Sequence, residues 1–413
     1  MNAGSSEEKI RFISFYPFLL LLFYAPIFNV WVPKTDFGRG IPDFGLYEVC
    51  AIIWTLSFCV DLMLKRIRGS FRDIWFINMA VYVWWVFMSI GWSFEGYSMN
   101  AFRGFIFTYL IPFFICLAVP GYLRDKKVLK ILVNHAAICC LILALLSFYQ
   151  FSRNLGMHYE SDREVRAAAT LGNANLLAIF LVLNVPVFLF AIKKRLVNKF
   201  FLLVTLLCVG LGIVGTVSRK GLITFVATFL LFFSLIKNYS MLVLAVIVLT
   251  GAGVYVMQQK IVADRFSGAA IDREFKGKGS MIKVGIEILK ESPVVGRGFA
   301  GYWHYSKKFF GRSEDAHNNY LTTLVNYGVV GFALFMGIFL IPLWRAFSRL
   351  LKSSPQEQDA KLMSVTAITI ILPFMASAYA AGALMHSPVA TSLLFVYVVV
   401  FALWKPPPDI SIA

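Results

Sequence analysis

Charge is scarce in this sequence. Asp, Glu, Lys and Arg make up only 15% of its 413 residues, against 59% hydrophobic. The acidic sign is the scarcer one, with 22 Asp and Glu against 39 Lys and Arg, for a formal net charge of +17. A water-soluble domain must cover its surface with polar groups, and a chain this poor in charge, with 40 Phe and 9 Trp, is not one. Cysteine is sparse too. The six cysteines (50, 59, 116, 139, 140 and 208) all lie in or beside apolar runs, so they are expected to be small core residues without disulfides. No internal repeat and no low-complexity tract interrupts the chain. A nucleotide-type phosphate loop is also missing: the run GRGFAG at 296–301 lacks the preceding strand and the Lys-Ser/Thr that such a loop needs. Neither nucleotide chemistry nor nucleic-acid binding is expected.

What the chain does have is a series of apolar runs about 20 residues long, enough to cross a hydrocarbon core of about 30 Å. Helices are the element that satisfies its own backbone there. Twelve candidate spans lie near 13–31, 46–64, 74–92, 104–120, 129–151, 173–192, 199–216, 220–236, 240–257, 318–344, 362–383 and 387–404. The expected fold is therefore an all-α integral membrane protein, one polytopic domain over 1–413. The opening MNAGSSEEKIR is polar, and the apolar segment after it is of full length without a small-residue cleavage site, so it is expected to be a retained span.

Basic residues set the orientation. With the N-terminus inside, the inner loops hold Lys65, Arg66, Arg68 and Arg72, then Arg124, Lys126, Lys127 and Lys130, then Lys193, Lys194, Arg195 and Lys199. The short outer loops are poorer in Lys and Arg, which favours this topology and places both termini in the cytoplasm. One outer loop, 258–317, is long and also basic. Long loops escape the charge rule, and a loop of this length in a compact protein is usually functional. It holds SMIKVGIEILKE, where Lys283, Glu287 and Lys290 form a polar stripe on an otherwise apolar helix. A turn-rich ESPVVGRGFAGYW follows.

The outer ends of three spans carry polar or cationic groups. Span 318–344 begins at His317 and Asn318, with Asp315 or Asn318 as its cap. Span 220–236 begins Ser218, Arg219, Lys220, with Ser218 as cap. Span 173–192 begins with Asn173 and Asn175. On a continuous helix His317, Leu321, Leu324, Gly328 and Gly331 would share one stripe. Helix N-termini attract anions, and Arg219, Lys220, Arg163, Arg166, Arg265 and Arg297 would add a strongly positive outer site suited to phosphate oxygens. A histidine among cations is disfavoured in its charged form, which makes His317 a candidate general base. The plain alternative for each arginine is contact with lipid headgroups. A metal site from His158, His304 and His386 lacks tight ligand spacing, and although Glu160, Asp162, Glu314 and Asp315 could hold a phosphate-bound ion, no Asp-x-Asp pair stands at a span end. A site that needs no metal and no cofactor is the expectation.

These residues resemble a known family, the O-antigen ligase and polymerase superfamily of bacterial membrane glycosyltransferases. The resemblance rests on His317, Asn318, nine residues, Gly328, two residues, Gly331; on Pro293, Gly296 and Gly298 after the amphipathic helix; and on Ser218-Arg219 and Gly172-Asn173-x-Asn175. It covers about 170–335. It implies a GT-C-like fold in a Gram-negative inner membrane, with a periplasmic site. It implies a glycan donor on undecaprenyl pyrophosphate and, for a ligase, a sugar hydroxyl of lipid A–core as acceptor. His317 would deprotonate that hydroxyl. Arg219 and Arg265 would bind the pyrophosphate, backed by Lys220, Arg163, Arg166 and Arg297, with Asn318 and Asn175 also in the binding site. Direct displacement would invert the anomeric centre. The same motif fits an O-antigen polymerase or a protein O-oligosaccharyltransferase; the absence of a large soluble C-terminal domain favours the ligase. A lipid-linked glycan flippase suits the cations and spans, but not a general base or a sequence without repeats.

Overall fold

The computed structural model describes residues 12–28, 46–66, 73–94, 96–153, 155, 157–158, 165–171, 173–247, 268–314, 316–354, 357–378 and 388–403. They are helical almost throughout. The helices are α1 (Phe15–Ile27), α2 (Leu46–Met63), α3 (Ile74–Trp92), α4 (Met99–Tyr122) and α5 (Lys126–Ser152). A minimal antiparallel pair follows, β1 (Met157–His158) with β2 (Val165–Arg166). Then come α6 (Ala174–Lys194), α7 (Lys199–Gly215), α8 (Arg219–Leu235) and a helical stretch at 239–247. The chain continues with α9 (Gly268–Lys290), α10 (Gly301–Phe310), α11 (Asn319–Lys352), α12 (Gln358–Ala378) and α13 (Pro388–Tyr397), which runs on through a π-helical turn (Val398–Leu403). Each of the twelve expected spans overlaps a helix in the described residues, and the second half of 240–257 lies outside them. Among them 7 helices are long and apolar enough to cross a membrane, and Phe15–Ile27, Lys199–Gly215 and Ala390–Leu403 are shorter apolar helices. The chain is an all-α, multi-pass membrane protein.

Interhelix contacts fix the helix directions. Trp75 Nε1 donates to Ile338 O at 2.8 Å, Asn78 Nδ2 to Leu334 O at 2.9 Å and Trp85 Nε1 to Tyr327 O at 3.0 Å, so α3 lies antiparallel to α11 along its length. α5 and α7 run parallel. A Cβ on Gly212 would meet Ala144 Cα at 2.7 Å, and Ser147 Oγ donates to Gly212 O at 2.8 Å, the close small-residue packing favoured in lipid. α6 and α8 also run parallel, with Ser218 near Asn175 and Gly221 against Ala178. At the far end of α6, Lys194 Nζ reaches Asp359 Oδ1 at 2.7 Å, which sets α12 antiparallel to it. These directions agree with strict alternation of the spans. One end of the bundle therefore holds the starts of α6, α8 and α11; the other holds their C-termini, which are basic in α6 and α11.

The basic end is stapled by polar contacts. Arg345 Nη1 donates to both oxygens of Asp73, at 2.6 and 2.8 Å, while Asp73 Oδ1 caps α3 through Trp75 N. Asp61 is fully buried and sits at the start of α1, where it accepts Ser14 N at 2.8 Å and Ser14 Oγ at 2.6 Å. A carboxylate there faces the positive end of the helix dipole.

Two sequence expectations change. The amphipathic helix in the long loop starts at Gly268, not near 280. α11 is not one continuous helix: Gly328 adopts φ 66°, ψ −172° and breaks it. The segment after the break is still roughly 36 Å long at 1.5 Å per residue, enough to span the membrane by itself. The segment before it is a separate short helical arm.

Candidate functional site

The arm before Gly328 begins at the histidine singled out in the sequence. Asn318 caps it, its Oδ1 accepting Tyr320 N at 3.0 Å and Leu321 N at 3.1 Å. His317 is the residue before that cap. It is exposed, lies outside the helix and has φ +48°. The expected stripe through His317 and Gly328 therefore does not form, because its first member precedes the helix and its fourth breaks it. α8 starts in the same way. Ser218 Oγ accepts Gly221 N at 3.2 Å and donates to Asn175 Oδ1 at 2.9 Å, and Val217 before it has φ +48°. A β-branched residue at positive φ is costly, of the order of 1–3 kcal/mol, and such strain concentrates at functional sites. Asn175 N in turn donates to Asn173 Oδ1 at 2.8 Å, the cap of α6. The cap expected at Ser218 is present, Asn318 is the one of the two candidates Asp315 and Asn318 that caps α11, and Asn173 caps α6, all at one end of the bundle.

The loop before His317 is folded onto α11. In α9, Gly285 leaves room for Leu321, whose side chain a Cβ would meet at 2.8 Å. Ile288, Tyr302, Ala316, Leu321 and Val325 form a small apolar cluster of their own. Ser306 Oγ donates to Glu314 O at 3.1 Å and accepts Glu314 N at 2.8 Å, which fixes the stretch leading to His317. Between α9 and α10 the Pro293–Gly298 turn docks into the break in α11. Arg297 N donates to Val325 O and Gly298 N to Asn326 O, both at 2.8 Å, and Val329 N donates to Pro293 O at 3.0 Å. Breaking a helix frees carbonyls and amides, and here the turn takes up both. Asn326 Oδ1 also accepts Tyr302 N at 2.8 Å, tying α10 to the same place. Gly331, one turn below, leaves space for Trp85, whose Cδ1 a Cβ would meet at 2.9 Å. Tyr109, in a π-helical stretch of α4 (Ile106–Leu110), hydrogen-bonds the Tyr327 hydroxyl at 2.9 Å beneath the turn.

The candidate residues divide by placement. Arg219 and Lys220 occupy the first turn of α8, half-buried. Two cations there oppose the helix dipole, an arrangement that an anion relieves. Asn175 is bonded to the α8 cap, and Asn318 holds the turn that carries His317. Arg297 forms an ion pair with Glu291 and lies over the Tyr305 ring, 4.7 Å from its centroid. Its charge is thus engaged within the loop. Arg166 belongs to β2, opposite Met157. Arg163, Arg265, His386 and Asp315 lie outside the described residues. His304 stacks on Phe94 with ring centroids 5.0 Å apart. Among the described residues no group of three His, Cys, Asp or Glu side chains converges.

Sequence reasoning missed the polar lining of the α11 arm. Asn319 and Thr323 are fully buried and Thr322 nearly so, and none of their side-chain polar atoms has a hydrogen-bond partner among the described residues. Buried polar groups normally find partners, so this patch next to His317 is exceptional. The signal was in the sequence, since Asn-Asn-Tyr-Leu-Thr-Thr puts four polar residues in an otherwise apolar run.

The family model described as O-Antigen ligase matches residues 201–336, from α7 to just beyond Gly331. It takes in Ser218, the Pro293–Gly298 turn, His317 and the break in α11. No curated protein matches the chain.

Proposed function

Taking the O-antigen ligase match over residues 201–336, and the superfamily membership it supports, as premise, we propose that this protein is a glycosyltransferase of the ligase type. It moves a glycan from undecaprenyl pyrophosphate to a sugar hydroxyl of lipid A–core. The reaction takes place at the periplasmic face of a Gram-negative inner membrane, with both termini cytoplasmic. His317 accepts the proton of the acceptor hydroxyl, and the acceptor oxygen displaces the pyrophosphate from the anomeric carbon with inversion. The leaving group departs as undecaprenyl pyrophosphate, its charge met by Arg219 and Lys220 at the start of α8 and by Arg265, with Arg163 and Arg166 behind them. Asn175 holds the α8 start and Asn318 holds the His317 turn. Cations supply what the leaving group needs, so the reaction uses no added metal or cofactor.

One observation carries this reading. His317 is exposed on a turn fixed by the buried cap Asn318, at the same end of the bundle where the Ser218–Asn175 bond fixes the first turn of α8 with its two cations. A mobile surface histidine needs no such support, whereas a base must be held in place to act. The test is reconstitution of the purified protein with a lipid-linked glycan donor. Lipid A–core, a second copy of the donor and an acceptor protein are offered in turn, each with and without chelator. Transfer to lipid A–core that survives chelator and is lost in Arg219→Ala is expected. Transfer only to the second donor or to protein would make the enzyme a polymerase or an oligosaccharyltransferase, and retention at the anomeric centre would overturn the single displacement.

A further inference from the structure

At the end of the bundle opposite His317, the start of α5 and the α6–α7 turn enclose an open cavity of about 670 Å³. Its lining combines the polar and cationic Lys130, Asn134, Arg195 and Asn198 with the aromatic Phe200 and Phe201. The turn is sharp because Arg195 ends α6 in the left-handed region, at φ +55°, and Asn198 at once caps α7 through Phe200 N at 2.9 Å. This geometry leaves both cations exposed at the rim. Neither Lys130 nor Arg195 has an acidic partner among the described residues. The nearest carboxylates in sequence and contact are already used: Asp359 pairs with Lys194, and Asp125 Oδ1 caps α5 through Lys127 N at 2.9 Å.

The apolar lining continues along the span. Phe200 is 76% exposed, and Leu203 and Leu207 follow it on α7, at 46% and 66%. Spaced three to four residues apart, they form one strip leading from the cations down the helix. A free anion would use the cations alone. A molecule with an anionic head and acyl chains uses both, and basic pockets between membrane helices are suited to such lipids. We propose that this cavity is a binding site for an anionic phospholipid. Its phosphate lies between Lys130 and Arg195, and its acyl chains lie along Phe200, Leu203 and Leu207. The site lies at the opposite end of the bundle from the proposed catalytic residues and is independent of them.

The test is native mass spectrometry of the full-length protein, together with binding to nanodiscs of phosphatidylcholine doped with phosphatidylglycerol. The wild type is expected to retain phosphatidylglycerol and to release phosphatidylcholine. Each neutralised cation should cost roughly fivefold in affinity, so Lys130→Gln/Arg195→Gln should weaken binding about 25-fold. Lys130→Arg and the control Lys352→Gln should keep it. Millimolar inorganic phosphate should not displace the lipid. Equal retention by the double variant, equal retention of the zwitterionic lipid, or full displacement by phosphate would overturn the proposal. Should the double variant fold poorly, a photoreactive phosphatidylglycerol on the wild type decides: labelling of the peptide containing Phe200 and Phe201 supports the site, and labelling elsewhere alone rejects it.

Discussion

The backbone N–H of Gly298 donates to the carbonyl of Asn326 at 2.8 Å, a carbonyl that α11 leaves free by breaking at Gly328. Gly296 and Gly328 meet at that point, and neither has room for a side chain: a Cβ on Gly328 would overlap the Val294 carbonyl, and one on Gly296 the Asn326 carbonyl. The φ/ψ of Gly328 is in practice open to glycine alone. Gly328→Ala should therefore cost at least about 3 kcal/mol, combining backbone strain with overlap. Thermal unfolding in detergent would show a lower midpoint and transfer would be lost. Gly279→Ala, in open space on α9, should be neutral or stabilise by up to about 1 kcal/mol. A wild-type midpoint for Gly328→Ala would mean that α11 straightens without loss and that the docking matters little.

Arg297 offers a second test, because its guanidinium is committed to Glu291 and the Tyr305 face. Both partners are lost differently by two substitutions. Glu291→Gln removes the charge pair and keeps the ring contact. Since Glu291 is half exposed, its loss should change stability by less than about 1 kcal/mol. Arg297→Ala removes both, so protease should cut the 291–300 turn faster. If Arg297 acts chiefly on the pyrophosphate instead, Arg297→Ala would raise the donor KM without faster proteolysis.

At the other end, Asp61 anchors the first helix. It is fully buried and accepts from Ser14 N, Ser14 Oγ and Ile13 N, and the same Ser14 hydroxyl lies 2.6 Å from the Tyr122 hydroxyl. Asp61→Ala strands these buried donors and should destabilise the protein by about 2–4 kcal/mol. Asp61→Asn retains one acceptor and should lose less. The readout is again the unfolding midpoint. A midpoint unchanged in Asp61→Ala would show that α1 is held by its apolar contacts alone.

The spans were legible in the sequence because lipid leaves little choice: a run of about 20 apolar residues is a helix, and its polar first residue is a cap. Ser218 was readable for that reason, and so was Asn318 as one of two candidates with Asp315. The break at Gly328 was not, because a glycine inside an apolar run looks like a helix-packing site until the partner is known, and that partner, the Pro293–Gly298 turn, lies some 30 residues earlier. The same distance effect hid Arg345 with Asp73, 272 residues apart. The early start of α9 was masked by Asp272, Arg273, Lys276 and two glycines, which disguise helical periodicity. At Arg297 charge type was readable but charge availability was not, since an ion pair is set by the fold.

The sharpest test concerns His317, because its exposure separates chemistry from stability. The imidazole is outside the packed core, so what its replacement must preserve is the positive φ of +48°. Asparagine tolerates that region better than most residues and has no basic nitrogen. His317→Asn should therefore unfold within about 0.5 kcal/mol of wild type, as surface substitutions do. Loss of a general base costs typically about 10²–10⁴ in rate. The variant should accordingly still bind the lipid-linked donor, with KM little changed, while kcat falls by that factor. Gln in place of His317 should fail equally, since it also lacks a base. If His317→Asn transfers glycan at the wild-type rate, the proton leaves by another route and the turn serves only to start the α11 arm. If it loses both fold and activity, the histidine is structural, and the base must be sought elsewhere in the chain.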